Sequence, residues 1–595
     1  MNIIKLIFTL LLFSFSTILF SQEYKYEENN GIRTFHEGHM FIKEGVPFLS
    51  VKGESYEMGL QYGVLLNDEI LDLDVKVDSL IDSFVGKLFL KKWIANKVLK
   101  SKIRKIEKRM PKEFLEELEG MADGCDLNLR EIKTIAYFPQ IFFNISCTSF
   151  VLRNEEGIVH GRNLDWPGIE IFTHYPLIVN YHRKGKIPTT ILSFVSYPGA
   201  YTGMNHNGLS MSINMNGCPV PEGKKKSDYN TDMPMPYKLR QVMENADELS
   251  EVDELFKNYS THAWFIMVGS KKDHSAAMYE LTLGKLIKNK MKDNMIAVTN
   301  LSLSDKGRFE YSPINMHGDS NIAREDKLKE LNQKIDNHDL IEKAYQMISS
   351  TEYYHLQHDP YYIGINNDMT VKSCIMDNTN NKIYFSYAEK LAGLAQFLEY
   401  DIASEKVSFF KEVKVSQTLK DLNSKLAFYK WHKENYGGKK KRDNLYYMAL
   451  IKYFKSSMLE SAYKNSQIAI CYSNIGKQDE AIEFANKYIE NRPKYNSAYT
   501  TKISILNDFK DYKAVISTTD EMLKVAIVTP ADQYYAKINL LKAYDNLQAQ
   551  FPDQKNIDKI KQLAKQIKEE ANKYFLAEWI KKDLSKMDEI VGKYN

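Results

Sequence analysis

The chain has 595 residues, 44% of them apolar and 26% charged, with 16 prolines and a formal net charge of +3. That length exceeds what one hydrophobic core normally serves, so two or three globular domains are expected, and the few prolines argue against long disordered linkers. The small net charge gives no basis for a nucleic-acid partner.

Residues 1–21 place Lys5 ahead of the apolar run LIFTLLLFSFSTILF, which ends at the small residue Ser21. This reads as a signal peptide cut near Ser21–Gln22 and predicts an exported, soluble protein, periplasmic or extracellular. No cysteine follows the run, which argues against a lipoprotein anchor. The five cysteines are Cys125, Cys147, Cys218, Cys374 and Cys471, an odd count with no CxxC or zinc-type spacing. A disulfide framework is excluded, whereas a single functional thiol is not.

Residues 41–66 read as a strand, a Gly-Glu-Ser turn and a capped helix. Helical spacing continues from Leu71 to Met121 and includes the basic segment KVLKSKIRKIEKR, residues 97–109. Two readings stand for it: a solvated helix face, which is favoured, and peripheral contact with an anionic membrane surface. From Cys147 to about Asp401 the texture is one of short β-rich runs such as TSFVLR, GIVHGRNL and AWFIMVG, interrupted by blocks of helical pattern. Strands and helices in blocks indicate a layered α+β or α/β arrangement rather than alternating βαβ units. Beyond about Ser416 the strands stop. NSQIAICYSNIGKQDEAIEFANKYIENRPKYNSAY (residues 465–499) has the small and aromatic residues, the turn glycine Gly476, Ala481 and the closing Pro493 of a tetratricopeptide unit. Degenerate copies follow, and stacked helical hairpins are expected.

The chemistry centres on ISCTSFVLRNEEGIVHGRNLDW, residues 145–166. A thiol needs a base or a positive neighbour to be a nucleophile at neutral pH. No histidine is singled out as partner to Cys147. A cysteine that begins a chain has another base, its own α-amine, of ordinary pKa about 7.7–8.0. Cleavage of the Ser146–Cys147 bond would create it.

This segment resembles the start of the catalytic subunit in the cysteine N-terminal-nucleophile hydrolases, a superfamily that includes choloylglycine hydrolases, acid ceramidase and its N-acylethanolamine amidase relative, and acyl-coenzyme A:isopenicillin N acyltransferases. The carriers are Cys-Thr-Ser, a turn about ten residues on, then Gly-Arg-Asn-Leu-Asp-Trp. GESYEMGLQYG and EELEGMADGCDLN upstream are similar to the acyltransferase-type branch. The resemblance covers roughly residues 40–400. It implies an αββα sandwich and assigns Cys147 as nucleophile, Arg162 beside the thiol and Asp165 as partner of the new α-amine. Asn214, with Asn216 as rival, matches one oxyanion-hole amide and Asn300 the second. Arg324 matches an arginine closing the site from a helix, with Arg308 as a second candidate. The catalytic glutamate of the ceramidase branch has no match near Asn214, and the Cys-to-Arg spacing is one residue shorter than in some relatives.

The expected organisation is a signal peptide (1–21), an N-terminal pro or α-subunit segment (22–146), the catalytic core (147–410) and an all-α tetratricopeptide-like region (411–595). The expected activity is hydrolysis of a linear N-acyl amide, with no metal or organic cofactor. Acyl transfer to an amine is the alternative within enzymes; a repeat-based interaction protein with an inert core is the alternative outside them. The repeats are expected to bind a peptide or protein partner or to pack on the core. The pair of histidines in HLQHD, residues 355–359, mimics a metal site but lacks a separated third ligand. His160 and His206 flank the motifs and read as structural.

Overall fold

In a computed structural model the described residues are all except 1–23, 86–88, 143–145, 167–173, 219, 221–222, 304–319, 352–363, 368, 389–390, 412–443, 457–460, 527, 529, 574–580 and 595. The expected signal peptide, Arg308 and the HLQHD stretch lie outside them.

Four strands open the chain: β1 (Glu27–Asn29), β2 (Ile32–Phe35), β3 (Gly38–Lys43) and β4 (Val46–Gly53). Helices α1 (Ser55–Leu65), α2 (Asn67–Val85), α3 (Phe89–Glu107), α4 (Lys112–Gly124) and α5 (Leu129–Phe142) follow. Then come β5 (Ser146–Arg153), β6 (Ile158–Asp165), β7 (Pro176–Arg183), β8 (Thr189–Phe194), β9 (Thr202–Asn205) and β10 (Leu209–Met215). Helices α6 (Met235–Met243) and α7 (Leu249–Phe256) precede β11 (Ala263–Ser270), β12 (Ser275–Thr282), β13 (Lys285–Lys290) and β14 (Met295–Val298). After α8 (Ser320–Lys334) and α9 (Leu340–Ser349), the strands close with β15 (Thr370–Asp377), β16 (Lys382–Tyr387), β17 (Phe397–Asp401) and β18 (Lys406–Lys411).

Two sheets result, ordered β1-β2-β3-β4-β7-β8-β9-β10-β11-β12-β13 and β14-β5-β6-β15-β16-β17-β18. Helices cover both outer faces, so the fold is an αββα sandwich. One outer layer buries Met58, Phe114, Leu118, Tyr137 and Leu239 with the first sheet's Val51, Val179 and Ile213. The two sheets meet through Ile178, Leu192 and Met204 on one side and Cys374, Met376 and Phe385 on the other. The other outer layer packs Leu328, Ala344 and Met347 on Phe150, Leu152 and Val159. Burial of such side chains is the main stabilising term, roughly 25 cal/mol per Å² of apolar surface. The expectation of two antiparallel sheets needs one correction: β4 pairs with β7 in parallel, Phe48 opposite Ile178. Five helices and the β5–β6 hairpin lie between these strands, which supplies the long crossover that parallel pairing requires.

The upstream glycines have a packing reason. On α1, Gly59 and Gly63 face Gly120 and Gly124 on α4. A Cβ at Gly59 would sit 2.0 Å from the Glu117 carbonyl oxygen, and one at Gly120 would sit 2.1 Å from that of Tyr56. Only bare backbone allows this approach. A capping box of Glu54 and Glu57 starts α1.

The basic segment lies along α3 and its turn, but Leu99, Ile103 and Ile106 are buried in the protein's own core. Its apolar stripe packs inside the fold, and Lys97, Lys100, Lys102, Arg104 and Lys105 are exposed on the other side, as a solvated helix face requires. No described helix is long and apolar enough to cross a membrane.

Beyond β18 the described chain is helical: α10 (Asn444–Ser456), α11 (Ser461–Asn474), α12 (Gln478–Asn491), α13 (Asn496–Asp508), α14 (Tyr512–Val525), α15 (Pro530–Gln550), α16 (Gln554–Lys573) and α17 (Lys581–Gly592). Gly476, at φ +76°, makes the left-handed turn between α11 and α12. Ala469, Ala481 and Ala485 let these helices close on Ile505 of α13.

Candidate active site

Cys147 is fully buried on β5 and belongs to the same apolar cluster as Leu164, Trp166, Tyr197 and Tyr201. The β5–β6 hairpin turns at Asn154, whose Oδ1 accepts from the Glu156 and Gly157 amides, both at 2.9 Å. Its register sets Cys147 opposite Leu164, Ser149 opposite Arg162 and Ser146 opposite Asp165. Alternation then puts Cys147 and Arg162 on one face and Asp165 on the other, beside the Ser146–Cys147 bond. Gly161 leaves room for the Phe150 ring, which a Cβ there would meet at 2.3 Å.

Arg162 Nη2 donates to Cys147 Sγ at 3.2 Å and to the Ile213 carbonyl at 2.8 Å, while Nη1 reaches Thr202 Oγ1. Burial pushes the Cys147 thiol up, and Arg162 and Arg324 pull against it. Asp165 Oδ1 accepts from Thr370 Oγ1 at 2.6 Å, and its Oδ2 lies 3.8 Å from Arg324 Nη1. Oδ2 is buried without a hydrogen-bond partner among the described residues. Burial pushes this carboxyl up to about 6, against the charge of Arg324 and hydrogen bonds from Thr370 and Asn367.

Asn300, just past β14, accepts from the Cys147 backbone N–H at 3.0 Å and donates to the Met215 carbonyl at 2.8 Å. Arg324 enters from the first turns of α8. Its Nη1 donates to the Cys147 carbonyl at 2.7 Å and to Thr148 Oγ1 at 2.9 Å. Its Nη2 donates to Asn321 Oδ1 at 2.7 Å and to Asn300 Oδ1 at 3.3 Å. Cys147, Arg162, Asp165, Asn300 and Arg324 are thus brought together.

Asn214 has a different job from the expected oxyanion donor. Its amide donates to the carbonyls of Val298 at 3.1 Å and Thr299 at 2.8 Å, and its Oδ1 accepts from Ser149 Oγ at 2.7 Å. Both N–H groups are committed to the chain that carries Asn300, so Asn214 ties β10 to the end of β14. Asn216 instead donates to Thr282 Oγ1 at 2.8 Å. His160 sits between Ser210 and Ser212, each at 2.9 Å, and burial pushes its pKa down to about 3. It is a neutral structural residue, and His206, pushed down to about 4 by burial, is another.

Sequence reading missed Thr148, Thr202, Asn321 and Thr370, which bind the charged groups from four separate segments. It also missed Lys372 on β15, opposite Leu164. This lysine is buried, donates to the Leu192 carbonyl at 2.8 Å, and lies 5.9 Å from the rings of Phe194 and Tyr387. Burial, with Arg162 nearby, pushes its pKa down to about 7. All five cysteines are free, and no described group of His, Cys, Asp and Glu side chains could hold a metal.

Residues 152–390 match the family model of acyl-coenzyme A:6-aminopenicillanic acid acyl-transferase. Among curated proteins, an N-acylethanolamine-hydrolyzing acid amidase of Caenorhabditis elegans is 29% identical over 188 residues, 29% of this chain and 52% of the relative. The Rattus norvegicus amidase of that name is 33% identical over 113 residues, 18% of this chain and 30% of the relative. Mouse acid ceramidase is 29% identical over 154 residues, 23% of this chain and 37% of the relative. The chain thus spans about half or less of the length of these relatives. The solved C. elegans amidase ortholog superposes with a TM-score of 0.31 at 23% identity, covering 39% of this chain and 93% of that one. A mutant conjugated bile acid hydrolase from Clostridium perfringens gives 0.29 at 16%, covering 45% and 97%. Superpositions this loose carry no residue assignments.

Proposed function

Residues 152–390 belong to the N-terminal-nucleophile hydrolase superfamily, and from that premise we propose that the chain is an exported hydrolase of linear N-acyl amides with Cys147 as its nucleophile. One observation carries the reading: Arg162 Nη2 on the Cys147 sulfur, Asn300 Oδ1 on its nitrogen, and Asp165 Oδ2, which accepts no hydrogen bond from the described residues, on the residue opposite Ser146.

Activation comes first. The Cys147 sulfur attacks the Ser146 carbonyl carbon, the C–N bond breaks as nitrogen takes the thiol proton, and water hydrolyses the resulting thioester. Ser146 then ends one chain as a carboxylate, and Cys147 begins the next with a free amine. Asp165 Oδ2 is the acceptor for that ammonium, and Asn300 Oδ1 for a second of its protons. In turnover the amine takes the thiol proton, the sulfur attacks the substrate carbonyl, and oxyanion charge falls to the Asn300 amide and the guanidinium groups. The amine product leaves with the proton and an acyl-thioester remains. Water, deprotonated by the Cys147 amine, releases the acid. The apolar cluster around Cys147 favours an acyl group over a charged one. Curated relatives named for hydrolysis of N-acylethanolamines and ceramide support the same substrate class.

The test is the intact mass and N-terminal sequence of the secreted protein, followed by a panel of N-acyl amides. Expected are a new N-terminus at Cys147 and release of fatty or other acyl acids, both abolished by Cys147→Ala. A single uncut chain with no thiol-directed labelling supports the interaction-protein reading instead. The acyl-transferase family match favours a second reading, in which an amine replaces water at the thioester. Added amines that divert product from acid to amide would select it.

A further inference from the structure

The arm that brings Asn300 and Arg324 to Cys147 is backed by a residue from the far end of the chain. Leu301 follows Asn300, and Ile322 and Ala323 lie between Asn321 and Arg324. These three side chains form one buried cluster with Tyr495, which occupies the turn between α12 and α13. All are at most 5% exposed. The turn is braced from its own side. The Tyr495 N–H donates to the Arg492 carbonyl at 3.0 Å, and the Arg492 guanidinium lies 5.1 Å from the tyrosine ring centre. Tyr499 Oη donates to the Pro493 carbonyl at 3.0 Å, and Asn496 Nδ2 donates to Asp532 Oδ1 at 2.9 Å. A rigid corner of the helical extension therefore presses one aromatic ring against the apolar back of the catalytic arm.

The arm needs such a backing. Arg324 stands only five residues into α8, next to the first turn, whose N–H groups have no acceptor within the helix and which opens most readily. Asn321 fastens the two pieces together, accepting from the Asn300 N–H at 3.1 Å and from Arg324 Nη2 at 2.7 Å. Those bonds fix the arm's internal shape, and Met215, Cys147 and Thr148 hold its polar front, while its apolar back, Leu301, Ile322 and Ala323, packs on Tyr495. We infer that the C-terminal helical extension is part of the catalytic apparatus, Tyr495 being a positioning residue that clamps the Asn300 and Arg324 arm at Cys147. The inference rests on the hydrolase reading for its consequence in turnover and on the Tyr495 cluster for its geometry.

The experiment uses the full chain as wild type, Tyr495→Ala and Tyr495→Phe. Turnover of an N-acyl amide is measured as kcat and KM, and backbone amide exchange is followed in residues 300–302, 321–324 and 263–270. Displacement of reacting groups by about 1 Å costs on the order of a hundredfold in rate. Tyr495→Ala should therefore lower kcat by at least about tenfold with KM changed far less, and Tyr495→Phe should keep wild-type turnover because the ring does the packing. Exchange in Tyr495→Ala should quicken in residues 300–302 and 321–324 and stay unchanged in β11. Wild-type kcat in Tyr495→Ala overturns the clamp, and so does equal loss in Tyr495→Phe. Should wild type hydrolyse no amide, the hydrolase reading fails and exchange alone decides: quickening confined to the arm supports the clamp, and unchanged exchange overturns it.

Discussion

Arg162 Nη2 lies 3.2 Å from Cys147 Sγ, a charged donor on a buried thiol, although the two residues are not direct partners across the β5–β6 hairpin. Burial raises the thiol and the guanidinium is the main force opposing it. Removing that charge should leave the sulfur protonated further into the alkaline range. Arg162→Met is expected to cut the rate of Cys147 alkylation at neutral pH by about tenfold or more and move its pH profile upward. Arg162→Lys, which keeps a charge but loses the planar fork, should fall between. Alkylation followed by mass spectrometry checks the order.

Asp165 gives a pH dependence of known sign. Its folded-state carboxyl sits at about 6, above an ordinary aspartate. Between about pH 4 and 6 the folded chain keeps a proton that the unfolded chain has released, so stability falls as pH rises through that window. The full loss is at most about 3 kcal/mol. In the uncut Cys147→Ala protein, adding Asp165→Asn should remove this part of the decline, so the variant gains most above about pH 6. Denaturant melts of the two proteins across pH isolate it, and parallel curves would show that Asp165 does not titrate there.

How much of this site can be read from sequence depends on the distance over which each residue acts. Cys147, Arg162 and Asp165 share one hairpin, so a short motif suffices to bring them together. Asn300 and Arg324 come from outside it, and resemblance alone pointed to them. The work of Asn214 was not legible, because its amide meets Val298 and Thr299 only where β10 crosses the end of β14. Thr370 and Asn321 gave no signal, since hydroxyl and amide side chains of this kind occur in every loop. The layered strand texture indicated a mixed fold, but apolar runs do not name their partners, and β4 against β7 in parallel could not be foreseen. GESYEMGLQYG and EELEGMADGCDLN resemble a family signature, and Gly59, Gly63, Gly120 and Gly124 within them have their physical cause in the α1–α4 approach.

Glu117 on α4 bears on the proposed cleavage at Ser146–Cys147. It lies between Arg183 of β7 at 3.2 Å and Arg240 of α6 at 2.7 Å, with Glu244 closing the group. All four side chains are at most 6% exposed. Glu117 precedes the Ser146–Cys147 bond and both arginines follow it, so the group would span the two products of the proposed cleavage. Glu117→Gln leaves two buried guanidinium groups sharing one carboxylate, a loss of about 3–5 kcal/mol. The cleaved variant should separate into its two fragments at a lower denaturant concentration than wild type, as size-exclusion chromatography would report.

Lys372 is a buried charged group near Cys147 that the proposed reaction does not use. Its ammonium has the Leu192 carbonyl and two aromatic rings for company, and burial holds its pKa near 7. Free lysine titrates near 10.4, so below about pH 7 the folded chain carries a buried charge that the unfolded chain solvates freely. The penalty shrinks as pH rises, because the folded chain sheds the proton first. Each tenfold difference in proton affinity is worth about 1.4 kcal/mol, so the penalty at acid pH amounts to several kcal/mol. Lys372→Met should therefore be more stable than wild type at about pH 6, with the margin narrowing toward about pH 10. Thermal unfolding of both proteins at several pH values tests the slope, and a margin independent of pH would mean that the lysine stays charged throughout. Lys372 is close enough to Arg162 and Cys147 to feel their charges, which makes the same variant informative about activity. If the Lys372 charge helps to hold the thiolate, Lys372→Met will gain stability and lose alkylation rate together; a purely packing role would leave the rate alone.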